Sequence, residues 1–227
     1  PQDGEILEPR RAVLASIKQM YAVREAVGDD IELTFDVHTR LDQPDALWLC
    51  REVEAARPYF IEDPLRSENP DSFKTLRPRT QVPLAAGEQF NSKWEFRQLI
   101  EEEWIDYARI DLCIAGGFTE ARKIAGWCET HYIKLAVHNP LGPVSSAACL
   151  QLNLATPNFG VQEQPRKTGE VLTDVVPVQP EWRDGYLLAP TLPGLGVEFD
   201  REAAQKHPFE MTEPPHLRRE DGSFTNW

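Results

Sequence analysis

Positive charge is scarce in this chain, long apolar runs are missing, and its few cysteines are unpaired. Its 227 residues hold 24 Lys and Arg against 37 Asp and Glu, a formal net charge of −13. Nucleic-acid binding is driven by neutralising phosphates with Lys and Arg, so this balance argues against it. It argues equally against an anionic membrane surface. No apolar stretch approaches the roughly 18 residues of a membrane span, and no segment has the order of a secretory leader. The four cysteines, Cys50, Cys113, Cys128 and Cys149, form no C-x-x-C pair. They read as reduced core residues of a cytoplasmic protein. No G-x-G-x-x-G or Walker sequence follows the first strand, which argues against a doubly wound nucleotide-binding fold.

The remaining composition, 41% apolar and 27% charged, is that of an ordinary globular protein large enough to bury a core. An acidic surface is normally just solvated, but an acidic enzyme can still hold an anionic substrate if a metal supplies local positive charge. The segment Pro1 to Glu8 is polar. A first helix is expected from about Pro9 to Val27, with Leu14, Ile17 and Tyr21 on one face. Gly28-Asp29-Asp30 breaks it. A short strand, Ile31 to Phe35, then ends at Asp36, and a helix follows from Pro44 to Arg57.

That strand-then-helix unit recurs. Strands are expected at Tyr59–Ile61, Val82–Ala86, Tyr107–Ile110, Ile133–Val137 and Phe159–Gln162. The intervening helices run over about Asp71–Arg77, from a Ser92/Glu95 capping box to Glu103, from Gly116-Gly117 to Glu129, and over Val144–Leu154. Phe96, Leu99, Ile100 and Trp104 form a core stripe. Six strands, each followed by a crossover, imply a parallel sheet buried on both faces. The polar residues at the strand ends are Asp36, Glu62, Glu88, Asp111, His138 and Glu163, at steps of 26, 26, 23, 27 and 25 residues. One βα unit per step brings each of them to the same end of the sheet, where α/β barrels and open sheets keep their active sites. Beyond Glu163 the rhythm stops. Residues 164–227 read as an extended Pro- and Trp-rich tail with one hairpin and no catalytic motif.

Asp36, Glu62 and Glu88 end three consecutive strands, and neighbouring strands lie about 4.8 Å apart. Three such carboxylates repel unless a cation lies between them. An all-oxygen set favours Mg²⁺ over Zn²⁺. His38, two residues past Asp36, falls on the same face by strand periodicity and suits a general acid. Asp111 and His138 end the next two strands and read as a dyad whose imidazole takes a proton, its tautomer set by the acid. Glu163 is a candidate hydrogen-bond partner of a substrate. His131, His207 and His216 read as surface residues. Gly116-Gly117 suits close backbone approach or a turn.

Several segments carry a family resemblance: Phe35-Asp-Val-His38, Phe60-Ile-Glu-Asp-Pro64, Leu84-Ala-Ala-Gly-Glu-Gln89, Arg109-Ile-Asp-Leu112, Ala115-Gly-Gly117, Val137-His-Asn-Pro-Leu-Gly-Pro143, Val161-Gln-Glu-Gln164 and Pro193-Gly-Leu-Gly-Val-Glu198. In order and on these elements, they resemble the mandelate racemase branch of the enolase superfamily, in particular the acid-sugar dehydratases typified by galactonate dehydratase. The resemblance implies an α/β fold, a (β/α) TIM-type barrel. Here it would be incomplete, with six of eight βα units (strands three to eight, residues 1–163), a missing capping domain, and residues 164–227 as a tail packing on the barrel or capping region. It implies Mg²⁺ held by Asp36, Glu62 and Glu88, an α-proton taken by His138 with Asp111, and Glu163 near the substrate carboxylate. His38 would donate a proton to the departing hydroxyl. The reaction implied is dehydration of a galactonate-like aldonate, through an enediolate stabilised by Mg²⁺, to a 2-keto-3-deoxy acid.

Asp111 sets the pattern apart from the related mannonate dehydratases, which share the final Asn226-Trp227. No Lys occupies a strand-end position, so lysine-base cycloisomerase chemistry is not expected. The partners expected are a small sugar acid and further copies of the chain, as a homo-oligomer. The alternatives are an epimerase or racemase of the same superfamily, and an inactive truncated fragment or non-catalytic binder. The short form is expected to turn over weakly, and its open sheet edges to invite pairing with another chain.

Overall fold

The computed structural model describes residues 6–212 and 216–226; the expectation attached to Trp227 lies outside them. The chain divides into two compact units, one of the residues up to Ala85 with those from Met211 onward, the other Ala86–Glu210.

The first unit opens with helix α1, Pro9–Val27, with Pro in its first turn and Gly28 at its end in a left-handed conformation (φ 73°). The Gly28 N–H donates to the Arg24 carbonyl at 3.0 Å. The Arg24 guanidinium closes this end: it donates to the carbonyls of Gly28 (2.8 Å), Ile31 (2.7 Å) and Ala56 (2.9 Å). The buried face of α1 is set by Val13 and Met20, whereas Leu14 and Tyr21 are exposed, so the expected face was rotated by about one residue. One step along a helix turns a side chain by 100°, enough to exchange a buried line for a wet one.

Strand β1 is only Thr34–Asp36, shorter than expected, with Ile31 exposed. Helix α2 (Gln43–Glu52) stops before a 3₁₀ turn, Glu54–Ala56, instead of running on to Arg57, which takes a left-handed conformation. Strand β2 (Phe60–Glu62), helix α3 (Phe73–Leu76) and strand β3 (Leu84–Ala86) follow. The strands pair in parallel, with Asp36 opposite Glu62 and Glu62 opposite Ala85. β2 and β3 are buried along their whole length, as a parallel sheet covered on both faces requires.

In the second unit helix α4 (Lys93–Glu101) starts at the expected capping box. The Glu95 carboxylate accepts from the N–H groups of Asn91 (2.7 Å) and Ser92 (3.1 Å). It buries Phe96, Leu99 and Ile100 completely, each contributing about 1.5–3 kcal/mol. Strand β4 (Tyr107–Ala108), helix α5 (Gly117–Thr130), strand β5 (Lys134–Val137), helix α6 (Pro143–Leu154) and strand β6 (Phe159–Gln162) complete the series. The strand order is that of the chain, β1 to β6. The Arg109 N–H continues the ladder onto the Ala86 carbonyl at 2.9 Å. The β5–β6 register slips beside Gly160, where an added Cβ would lie 3.0 Å from the Leu135 carbonyl oxygen.

The segment after Glu163 holds more order than one hairpin. β7 (Trp182–Arg183) pairs with β8 (Tyr186–Leu187), helix α7 spans Arg201–Ala204, and β9 (Leu217–Arg218) pairs with β10 (Phe224–Asn226) in the first unit. Of the cysteines, all free, Cys50, Cys128 and Cys149 are buried but Cys113 is exposed, correcting the expectation for that residue.

Candidate active site

At the carboxyl ends of the strands stand several titratable side chains, some on residues of positive φ. In the first unit Asp36 and Glu62 stand on registered residues of β1 and β2. Glu62 and the next residue, Asp63, are 5% and 2% exposed, and carboxylate oxygens of the two lie within 4.8 Å of each other. His38, Thr39 and Asp63 all have positive φ (54°, 58° and 35°). For β-branched Thr39 this is a true outlier, and such strain gathers where the surrounding fold holds side chains in working positions. It also corrects the periodicity argument for His38, since the strand has already ended. His38 instead turns back onto Asp36, its N–H donating to Oδ1 at 2.7 Å and its Nδ1 lying 3.3 Å from Oδ2.

The second unit holds the denser cluster. His138 directly follows β5, and Asp111 bridges to it in parallel. His138 Nδ1 is 2.8 Å from Asp111 Oδ2. Asp111 also accepts from the N–H groups of Cys113 (2.6 Å) and Ile114 (3.3 Å) and is 3% exposed. Its two backbone donors and His138 Nδ1 together orient the Asp111 carboxyl and the imidazole ring against each other. Nε2 faces Glu88 at 3.4 Å and Glu163 at 3.9 Å.

Glu88 is held by its neighbour. Gly87 has φ 125°, and a Cβ there would lie 2.3 Å from the Phe96 ring, so only glycine lets the chain turn at this point. Phe96 is itself locked edge-on against Phe90. Glu163 is held by residues whose role the sequence did not reveal. Its Oε2 accepts from Arg109 Nη2 at 2.7 Å and from the Asn139 N–H at 2.9 Å. The Asn139 side chain donates to Ser146 Oγ (2.9 Å) and to the Glu163 carbonyl (3.2 Å). The hint available in the sequence was an Arg two residues before the dyad acid, facing inward with it by strand periodicity.

The thiol of Cys149, behind His138, is pushed up to about 12 by burial, with a smaller push from Asp111, so it is no nucleophile at neutral pH. His131 and His207 pair with Glu103 and Asp174, away from this cluster. A cavity of about 350 Å³ beside β6 and the β7–β8 hairpin is lined by Phe159, Val161, Trp182 and Leu187, with no carboxylate or imidazole among its lining residues. Among the described residues no helix is long and apolar enough to cross a membrane.

A model of the enolase C-terminal domain-like family matches residues 7–204. The chain belongs to that family. Its six parallel strands in chain order are consecutive βα units of the family's TIM-barrel-like domain. It is 41% identical over 213 residues to a D-mannonate dehydratase of Caulobacter sp. (strain K31), covering 92% of this chain and 52% of that protein. It is 37% identical over 232 residues to a D-galactonate dehydratase of Ralstonia nicotianae, covering 98% and 60%. A crystal structure of an enolase from Pantoea ananatis with bound D-gluconate and Mg matches with a TM-score of 0.92 at 32% identity, over 97% of this chain and 54% of that one. The chain thus spans little more than half the length of the relatives it matches.

The donor chemistry fits a hard divalent cation. In the first unit Asp36 and Glu62, and in the second Glu88, offer oxygen alone, and Glu62 and Glu88 are each 5% exposed. Oxygen donors of this kind suit Mg²⁺ better than softer metals.

Proposed function

We propose that this chain carries the catalytic residues of a sugar-acid dehydratase acting on a galactonate-like aldonate, with Mg²⁺ held by Asp36, Glu62 and Glu88. The observation that carries the reading is His138: Asp111 fixes its Nδ1 at 2.8 Å, and Nε2 stands open toward Glu88 and Glu163. The relatives named for D-mannonate and D-galactonate dehydration, and the neighbour holding D-gluconate and Mg, support the substrate class.

When bound, Mg²⁺ supplies Lewis-acid stabilisation of negative charge on the substrate carboxylate. The protein's own side chains do the rest. His138 Nε2 takes the α-proton as general base, and Asp111 stabilises the imidazolium that results. Glu163 accepts a hydrogen bond from the substrate near its carboxylate. His38, exposed enough to reach a ligand with nearly half its side chain open, gives a proton to the departing β-hydroxyl. Loss of that hydroxyl as water leaves an enol, which tautomerises to the 2-keto-3-deoxy acid.

The test is to incubate the chain with Mg²⁺ and a panel of aldonates in D₂O. Deuterium exchange at the α-carbon or keto-acid formation, either one abolished by His138→Asn, is the expected result. Exchange that survives His138→Asn would remove His138 as the base.

A further inference from the structure

The cavity of about 350 Å³ in the second unit has three walls. Helix α6 brings Leu150 and Asn153, strand β6, the last in the sheet, brings Phe159 and Val161, and the β7–β8 hairpin brings Trp182 and Leu187. This size, with a mostly apolar lining and a few polar groups, is that of a small-molecule site. None of the described side chains lining it is charged at neutral pH. An anion entering would lose its hydration and meet no cation, so the fitting ligand is neutral. Phe159 and Val161 are 43% and 37% exposed. They leave apolar surface for a ring to cover, and Trp182 adds an aromatic face.

The polar mark in the wall is Asn153, only 7% exposed. A chain of amides settles its orientation. The Ser146 carbonyl can only accept, and it takes a hydrogen from Gln162 Nε2 at 3.3 Å. That leaves Gln162 Oε1 to accept from Asn153 Nδ2 at 2.8 Å. Asn153 Oδ1 is the end of the chain, buried and without a hydrogen-bond partner among the described residues. A buried carbonyl oxygen left unpaired is destabilising, and folded proteins keep few of them. We infer that this cavity binds a neutral aromatic compound with a single N–H or O–H, which donates to Asn153 Oδ1 while the ring covers Phe159 and Val161. An apolar cavity of about 150 Å³ holds benzene, so the larger volume here has room for two fused rings. A sugar acid is charged and polar throughout and does not suit these walls, so the inference stands or falls apart from the reading of His138.

The test uses two probes of nearly one shape: indole, which carries an N–H, and benzofuran, which has an oxygen in its place. Saturation-transfer NMR gives the affinity of each for the native chain. Indole is expected to bind more tightly by roughly fivefold, the factor corresponding to one net hydrogen bond. Leu187→Trp, a substitution on the two-residue strand of the hairpin, fills the cavity and should abolish binding of both. Asn153→Leu keeps the size and removes the acceptor, so indole should fall to the affinity of benzofuran while benzofuran is unchanged. Equal binding of the two probes to the native chain, no saturable binding of either, or indole binding that survives Leu187→Trp each overturns the inference. Should Asn153→Leu fail to fold, the native ratio and Leu187→Trp decide without it. If indole finds no site and the native chain elutes as a dimer that Leu187→Trp splits, these walls are an interface between copies and the small-molecule site is refuted.

Discussion

At the scale of single residues, the site depends on a few positions where no other side chain serves. Gly87 is the clearest. A methyl group there meets Phe96 at 2.3 Å while the backbone sits at φ 125°. Gly87→Ala is therefore expected to destabilise the chain by about 1–3 kcal/mol through overpacking, with a further cost of order 1–3 kcal/mol for the strained backbone. Urea unfolding measures it, and a loss below about 0.5 kcal/mol, the range of a neutral surface change, would contradict the packing argument. The cysteines make a second prediction. Burial pushes the thiols of Cys50, Cys128 and Cys149 from 9.0 up to about 12. A raised native pKa means that stability is fully present below pH 9 and is lost as pH rises, because the unfolded chain releases the proton first. Between pH 9 and about 12, native stability should fall faster than that of Cys128→Ala, by about 1.4 kcal/mol per pH unit. Parallel curves would refute the burial effect. Below pH 9 an exposed-thiol reagent should find Cys113 alone.

At the scale of elements, the legible part of the fold is the part with local causes. The Ser92/Glu95 box, Pro9 at the start of α1, and the apolar triplet of α4 all act within one helical turn, and those helices start where the sequence places them. The steps of 23 to 27 residues between the polar strand-end residues were readable for the same reason, since a βα unit has a nearly constant length. What the sequence did not disclose has causes at a distance. Arg109 finds its acceptor 54 residues away, the left-handed turns at His38 and Thr39 carry no glycine to announce them, and the bulge at Gly160 is set by the Leu135 carbonyl. The face of α1 was misjudged because the helix is rich in both alanine and charge, so several neighbouring stripes look alike. Helix α4 gives the element-scale prediction. Leu99→Ala removes a fully buried side chain and should cost about 2–5 kcal/mol. Because Phe96 of the same helix abuts Gly87, the loss should be accompanied by weaker Mg²⁺ binding through Glu88. A calorimetric Mg²⁺ affinity equal to that of the native chain would separate the helix from the site.

At the scale of the whole molecule, the net charge of −13 complicates any metal experiment, because every added cation screens self-repulsion and stabilises an acidic chain. Specific binding differs from screening in two ways that can be measured together. A site that binds only the native state adds RT ln(1 + [L]/Kd), about 2.7 kcal/mol at one hundred times Kd. For a chain of this length that raises the melting temperature by roughly 5–10 °C. Na⁺ at the same ionic strength delivers the screening without the site. The expected result is a higher melting temperature in Mg²⁺ than in matched Na⁺. That difference should disappear in Glu62→Ala, which removes a carboxylate only 5% exposed, and it should survive in His138→Asn, which removes the proposed base and none of the proposed ligands. A native chain that melts alike in both salts would mean that these carboxylates do not assemble a metal site within this length of chain. The dehydration proposed for them would then need the remainder of a protein the size of its relatives, of which this chain spans 52% and 60%.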